Sequence, residues 1–369
     1  MHFPDIQGLE TIESPALLFL EENIDANLRE MLRMVGNDPT RLRPHIKTHK
    51  TAEIVDRHLA LGITHFKAST LSEAALCAGR GAINVLVAYP LQGPNLQHLK
   101  SLEQKFPKTR FSVLVDAPET LAQLDELHRT TGTPTAVFLE LDCGMGRTGI
   151  APGAAAAALY RKLSASASVH VLGLHAYDGH IHDADLSTRT ERCNTAFVPV
   201  LEFRAHLEAN GLSVPALIAG GSPTFGIHAP HTDRVCSPGT TVLWDFGYGE
   251  KHPDLAFLPA AFLLCRVVSH PGIDRICLDL GHKSVAPENP HPRVKLQGLE
   301  DAEVLMQSEE HLVLRVPNPS DFPLGTPILG IPRHVCPTVS MHDKAYPVRH
   351  GRPNAPWPIA ARGRFLHQA

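Results

Sequence analysis

The chain has no apolar run long enough to span a bilayer. The longest, Leu255 to Leu264, falls well short of the roughly 20 residues required and is interrupted by Pro259. It has little net charge, formally −4, and no basic tract that could track a phosphate backbone, which excludes nucleic acid and a membrane surface as expected partners. The seven cysteines are odd in number and scattered without paired spacing, which points to a reducing cytoplasm rather than a disulfide framework. Met1-His2-Phe3-Pro4-Asp5 offers neither the cationic flank nor the apolar run of a secretory leader. No Gly-x-Gly-x-x-Gly follows the first strand, so a dinucleotide fold is not expected. There is no internal repeat, and the one biased stretch, Ala154–Ala158, is a strong helix former.

What remains is a chain of 369 residues, long enough for one large domain and a smaller one. Its first two thirds alternate apolar β-type runs with amphipathic helices. Strands are expected at Arg41–Ile46, Thr64–Ala68, Ile83–Ala88, Arg110–Val115, Ala136–Leu141, His170–His175, Ala216–Ala219 and, more weakly, Arg234–Cys236. Helices are expected at Thr51–Leu61, Leu71–Gly79, Asn95–Phe106, Pro118–Thr130, Pro152–Ala165 and Leu186–Asn210, the last closed by Gly211. Eight strands with helices between them predict a (β/α)8 TIM barrel over residues 14–245. After Leu243 short strand-like runs are separated by Pro, Gly and Asn turns with no clear helix, which predicts an all-β domain over residues 246–369. The early strand Ala16–Leu20 has no parallel partner of its own, so residues 1–20 are a candidate addition to that domain.

Several polar clusters fall at the C-terminal ends of the expected barrel strands, where this fold keeps its chemistry. The first strand ends on Arg43-Pro44-His45-Ile46-Lys47-Thr48-His49-Lys50. Taken alone, Lys47 and Lys50 read as surface charges. A partly desolvated amine at a barrel mouth can instead act as a nucleophile toward an aldehyde. The fifth strand leads into Glu140-Leu141-Asp142-Cys143-Gly144-Met145-Gly146-Arg147-Thr148-Gly149, whose glycines let the backbone turn tightly and present Arg147. The sixth leads into His175-Ala176-Tyr177-Asp178-Gly179-His180-Ile181-His182, with three histidines and a tyrosine in eight residues. Gly220-Gly221-Ser222-Pro223-Thr224 follows the seventh strand and Ser237-Pro238-Gly239-Thr240-Thr241 the eighth. Two glycine and hydroxyl loops on the last two strands suit a phosphate. A phosphate clamp opposite an amine implies a phosphorylated aldehyde, and pyridoxal 5′-phosphate fits. Farther on, His334-Val335-Cys336 reads as a strand segment with both side chains on one face, an imidazole and a thiol suited to zinc.

On Pro44-His45-Ile46-Lys47-Thr48-His49-Lys50, Gly144-Met145-Gly146-Arg147-Thr148-Gly149, Gly220-Gly221-Ser222-Pro223-Thr224, Pro238-Gly239-Thr240 and the His334-x-Cys336 pair, the chain resembles the fold-type III pyridoxal-phosphate enzymes. Within them it is most similar to the D-threonine aldolase and D-serine dehydratase group, over nearly its whole length. The resemblance implies a barrel followed by a β domain, assembled as a homodimer. It implies Lys47 as the Schiff-base lysine, His45, Arg147 and Tyr177 as cofactor contacts, and Gly220, Gly221, Ser222, Thr224, Gly239 and Thr240 as the phosphate cup. It also implies His334 and Cys336 as ligands of a divalent metal, Zn2+ or Mn2+. Two departures stand out. Aldolases of the group carry Asp where this chain has Cys336, whereas the dehydratases carry Cys. Aldolases also carry a histidine six residues beyond the tyrosine, where this chain has Asp183, leaving His180 and His182 as candidate bases.

The expected substrate is a small D-configured β-hydroxy-α-amino acid. Retro-aldol cleavage to glycine and an aldehyde is favoured by the aldolase-like context Pro337-Thr338-Val339-Ser340-Met341-His342-Asp343. The alternative is D-serine dehydratase-type elimination to a 2-oxo acid and ammonia. A racemase is disfavoured by the His-x-Cys pair, and a non-catalytic cofactor carrier by the added β domain.

Overall fold

The structure, a computed structural model, describes residues 3–364. The chain forms two compact units. One gathers the described parts of Met1–Glu30, Thr48–Glu53 and Thr240–Arg362; the other gathers Met31–Lys47, Ile54–Gly239 and the described part of Gly363–Ala369.

In chain order, β1 (Ala16–Leu20) and α1 (Glu21–Met34) come first. Then follow α2 (Ala52–Ala60), β2 (His65–Ala68), α3 (Leu71–Gly79), β3 (Asn84–Val87), α4 (Pro94–Lys105), β4 (Arg110–Val115) and α5 (Pro118–Thr131). The alternation continues through β5 (Thr135–Leu141), α6 (Ala154–Ala165), β6 (Val169–Ala176), α7 (Leu186–Ala209), β7 (Ala216–Ala219), α8 (Phe225–His228) and β8 (Val235–Cys236). Strands β2 to β8 form one parallel sheet in sequence order. The circle closes through Leu42–His45. Leu42 bridges Cys236 on β8 and His45 bridges Lys67 on β2, both in parallel. The N–H groups of Arg43 and His45 donate to Cys236 O and Pro238 O at 2.8 Å each, and Lys67 N–H donates to Pro44 O at 2.9 Å. The expected strand Arg41–Ile46 is thus an extended segment with two bridges, not a regular strand. Pro44 has no N–H to give a ladder, and the chain winds into a 3-10 turn at Ile46–Thr48. The segment still fills the eighth place in the wall, and the (β/α)8 barrel stands.

Register decides what faces inward. Residues paired directly in a parallel sheet point to the same face, as do residues two apart on one strand. His45 pairs with Lys67, Lys67 with Leu86, Leu86 with Ser112, Leu114 with Phe138, Glu140 with His175 and His175 with Ile218. One face therefore carries Leu86, Leu114, Phe138 and Ile218, a separate apolar cluster inside the barrel, and on the same face Lys67, Glu140 and His175. The other face carries Phe66, Val85, Val113, Val137, Leu174 and Leu217, which join the large core against the helices. Each such buried apolar side chain contributes about 1.5–3 kcal/mol. The helices start on local signals. At α3, Thr70 Oγ1 accepts the Glu73 N–H at 3.1 Å while the Glu73 carboxylate accepts the Ser69 N–H at 2.6 Å.

The second unit holds α9 (Phe246–Lys251), β9 (Ala261–Gly272), β10 (Arg275–Leu278), β11 (Val294–Leu296), β12 (Glu303–Gln307), β13 (Leu312–Arg315) and β14 (Pro327–Pro332). It ends with α10 (Val335–Met341), β15 (Lys344–Arg349), β16 (Arg352–Pro353) and β17 (Trp357–Pro358). Strand β1 lies inside this sheet, antiparallel to β9 and parallel to β15. The parallel partner that sequence reading did not find is Lys344–Arg349. Two helices, α9 and α10, appear where none was expected, and the second of them begins at the His-x-Cys pair. No helix among the described residues is long and apolar enough to cross a membrane, and all seven cysteines are free.

Candidate active site

Lys47 lies two residues past His45 on the closing segment and is partly buried. His45 Nδ1 accepts the Lys47 N–H at 3.3 Å, which ties the backbone of the lysine to the imidazole. Beyond β5, Asp142 Oδ1 accepts the N–H groups of Gly144 at 2.9 Å and Gly146 at 3.1 Å and so folds the glycine loop. Partial burial opposes the charge, yet these donors hold the Asp142 carboxyl below its ordinary value. Gly149 has φ +100°, and a Cβ there would lie 2.7 Å from Asp142 N, so only glycine closes the loop. The result is Arg147 with its guanidinium carbon 5.1 Å from the centre of the Tyr177 ring.

The two candidate bases differ in setting. A Cβ on Gly144 would lie 3.0 Å from His180 Nε2, so this imidazole packs against the loop that carries Arg147. Its Nδ1 is buried without a hydrogen-bond partner among the described residues. His182 is exposed. Asp183 binds Arg192 through both carboxylate oxygens at 2.7 Å.

The loop after β7 is built around its glycines. A Cβ on Gly221 would meet the Tyr177 ring at 2.9 Å, and one on Gly220 would meet His228 at 2.5 Å. Gly239 N–H donates to Ser222 Oγ at 3.1 Å, linking the two loops. Thr224 behaves differently from its expected role as an anion donor: its hydroxyl donates to Asp178 Oδ1 at 2.8 Å and accepts the Gly221 N–H at 3.3 Å. Its side chain holds the loop from behind. Thr240 falls in the β-rich unit, with its hydroxyl 3.6 Å from Cys336 Sγ.

Sequence reading missed the buried network under this loop. Arg234 donates to His228 Nδ1 at 2.9 Å, which fixes the proton on Nε2, and Nε2–H donates to Asp178 Oδ2 at 2.8 Å. The Cys193 thiol lies 3.6 Å from the same oxygen, and burial pushes its pKa up. Asp178, Cys193 and His228 have the residue types of a metal group. The direct Asp178–His228 bond and the guanidinium on the other imidazole nitrogen make it instead a hydrogen-bonded support for the loop.

A second omission is Lys67, which is 3% exposed and has its Nζ 3.4 Å from His175 Nε2 and 5.4 Å from the Tyr177 ring centre. Burial, aided by the charge of Lys47 and opposed by Glu140 and Asp178, brings its pKa down to about 7. Burial lifts the Glu140 carboxyl to about 7, against the hydroxyl of Thr148. His175 is held neutral by burial and by Lys67. Its Nδ1 and Glu140 Oε2 lack hydrogen-bond partners among the described residues. The only sequence signal for Lys67 was its parity with His45 on the neighbouring strand.

The His-x-Cys pair is not in a strand. His334 is the residue before α10 and Cys336 lies in its first turn. Pro337 needs no N–H there, and Val335 N–H donates to the buried Asp245 Oδ2 at 3.0 Å. His334 Nδ1 is 2.5 Å from Glu288 Oε1, and Cys336 Sγ is 3.1 Å from Thr48 Oγ1. Burial would lower the His334 pKa, but Cys336, Glu288 and Asp245 together carry it up to about 9.

These donor sets fit the groups expected of them. An amine, an arginine-flanked tyrosine ring and a loop whose glycines leave no room for a Cβ suit a phosphorylated aromatic aldehyde. An imidazole and a thiol leave positions for substrate on a borderline cation.

The alanine racemase N-terminal domain family matches residues 21–243, and the putative serine dehydratase domain matches residues 260–348. The D-threonine aldolase of Arthrobacter sp is 30% identical over 361 residues, covering 96% of this chain and 94% of that protein. The 3-hydroxy-D-aspartate aldolase of Paracoccus denitrificans (strain Pd 1222) is 26% identical over 378 residues, with 98% and 95% covered. The crystal structure of D-threonine aldolase from Filomicrobium marinum superposes with a TM-score of 0.86 at 28% identity, covering 96% of this chain and 97% of that one. The chain belongs to the alanine racemase N-terminal domain family, among the fold-type III pyridoxal-phosphate enzymes of the D-threonine aldolase and D-serine dehydratase group.

Proposed function

We propose that this protein is a pyridoxal-phosphate- and divalent-metal-dependent lyase that cleaves a D-β-hydroxy-α-amino acid between Cα and Cβ, releasing glycine and an aldehyde. The carrying observation is the end-to-end similarity to the Arthrobacter D-threonine aldolase, which spans the Lys47 segment and the His334-x-Cys336 pair alike. Lys47 would hold the cofactor aldehyde, His45, Arg147 and Tyr177 would hold the ring, and Gly220, Gly221, Ser222 and Gly239 would hold the phosphate. Bound there, the cofactor supplies a sink for the electron pair left at Cα, and Zn2+ or Mn2+ at His334 and Cys336 makes the β-hydroxyl more acidic.

The remaining work falls to the chain's own groups. His180, whose buried Nδ1 has no hydrogen-bond partner among the described residues, is assigned as the base that takes the β-hydroxyl proton. His182, exposed, is the second choice. Asp178, His228 and Arg234 keep the phosphate loop in shape from below. The enzyme works as a homodimer in the cytoplasm.

A second reading, elimination to a 2-oxo acid and ammonia, is favoured by Cys336 and by the serine dehydratase domain match over residues 260–348. In that chemistry Lys47 would take the α-proton.

Borohydride reduction followed by peptide mapping tests the cofactor assignment. The cofactor is expected on Lys47 and absent from Lys47→Ala, together with all lyase activity. Chelation is expected to abolish turnover of D-threonine while leaving the bound-cofactor absorbance in place. Full turnover by the metal-free protein would contradict the reading.

A further inference from the structure

The segment Ser284–Glu288 runs along one face of α10. His342 Nε2–H donates to Ser284 O at 2.9 Å, Ala286 N–H donates to Thr338 Oγ1 at 3.1 Å, and His334 Nδ1 meets Glu288 Oε1 at 2.5 Å. Positions 334, 338 and 342 are four apart, so they stack on a single side of the helical turns. The three bonds therefore lay the segment antiparallel to the helix, with Glu288 brought to the end where the His-x-Cys pair begins. Thr338, fully buried, also donates to His334 O at 2.8 Å, which ties the same threonine to the backbone of the histidine.

The consequence is chemical. A carboxylate only accepts, so the proton of the neutral His334 ring sits on Nδ1 and the lone pair on Nε2. Without Glu288 the two tautomers of a half-exposed imidazole would compete, and either nitrogen could face a cation. A carboxylate on the far nitrogen also makes the imidazole a stronger donor. The backbone between the ligands is fixed independently. Val335 N–H is held by Asp245 Oδ2, while Asp245 Oδ1 accepts the Tyr248 N–H at 2.9 Å.

We propose that Glu288, carried by the Ser284–Glu288 strap, is a positioning residue of the metal site: it sets the His334 tautomer and presents Nε2 to the divalent cation. The proposal rests on the reading that His334 and Cys336 take a metal, and it adds an acidic residue that no motif in the sequence marks. Glu288 is exposed on its far side, so its replacement is not expected to affect folding.

Zinc affinity of the purified full-length protein, measured by competition with a chromophoric chelator, tests it in four variants. Glu288→Ala is expected to weaken binding by about 10- to 100-fold. Glu288→Gln keeps an acceptor for Nδ1–H and is expected to fall between Glu288→Ala and the unaltered protein. Glu309→Ala, an exposed acid paired with Lys283, is expected to change nothing, and His334→Ala to abolish the site. With cobalt(II) alone, the thiolate charge-transfer band is expected in Glu288→Ala once saturated and not in Cys336→Ser, because Glu288 acts through His334 and is not itself a ligand. Unchanged affinity in Glu288→Ala, with loss in His334→Ala, would overturn the role of Glu288 and leave the metal assignment standing. Unchanged affinity in His334→Ala would overturn both. A changed cobalt ligand-field spectrum in saturated Glu288→Ala would make Glu288 a ligand and also overturn the proposal.

Discussion

Lys67 brings an amine into the barrel interior, where burial lowers its pKa from the ordinary 10.5 to about 7. The folded value lies below the unfolded one, so between the two the unfolded chain binds the extra proton. Stability attributable to this residue therefore rises with pH across that window, and the full cost of burying the charge is present below about 7. Lys67→Met should raise the melting temperature of the cofactor-free protein at about pH 6 by more than at about pH 10; an equal rise at both would mean the amine keeps its ordinary pKa in the fold. His180 gives the residue-level test of catalysis. His180→Ala should lower kcat by about 10²–10⁴-fold while His182→Ala has a small effect, as steady-state rates on D-threonine would show. Residues such as Lys47, Arg147 and the loop glycines were legible because their types are out of place at the ends of apolar strands. Lys67 and Glu140 were not, because a charge in a sequence looks like surface until strand register turns it inward; Asp178 and His228 were not, because they meet only when the loop after β6 packs on α8.

Among the elements, α10 carries the most consequence and was the least legible. Val335, Thr338 and Val339 are β-branched and Pro337 is a helix breaker in most positions, so local propensity favours a strand. The helix forms because proline is harmless in a first turn and because Asp245, 2% exposed, accepts the Val335 N–H. The same carboxylate caps α9 through Tyr248. Asp245→Ala leaves two helix starts without their acceptor and should cost about 1–2 kcal/mol, read from urea unfolding, with weaker zinc binding alongside. A change in stability without a change in zinc affinity would separate the helix start from the metal pair. The closing segment Leu42–His45 shows the reverse case. Its place in the barrel was legible from the count of strands, while its broken ladder follows from the single missing N–H of Pro44.

At the scale of the molecule, the chain feeds the β-rich unit from three separate stretches. Strand β1, from the start of the chain, lies between β9 and β15 in the sheet. A fragment of residues 246–369 lacks it and would expose both neighbouring edges, so the fragment should show no cooperative melting by circular dichroism. A cooperative transition would mean that the sheet closes without β1. The two-part organisation was legible from the change in turn grammar after Leu243, whereas the pairing of β1 with β15 is a contact of such sequence separation that no local pattern reports it. The claim that joins these parts is the reaction itself. The measurement that tests it most directly is product analysis of the protein loaded with pyridoxal phosphate and metal, incubated with D-threonine. Glycine and acetaldehyde in equal amounts are the expected products. 2-Oxobutanoate with ammonia would contradict cleavage between Cα and Cβ and make Cys336 the mark of an eliminating enzyme.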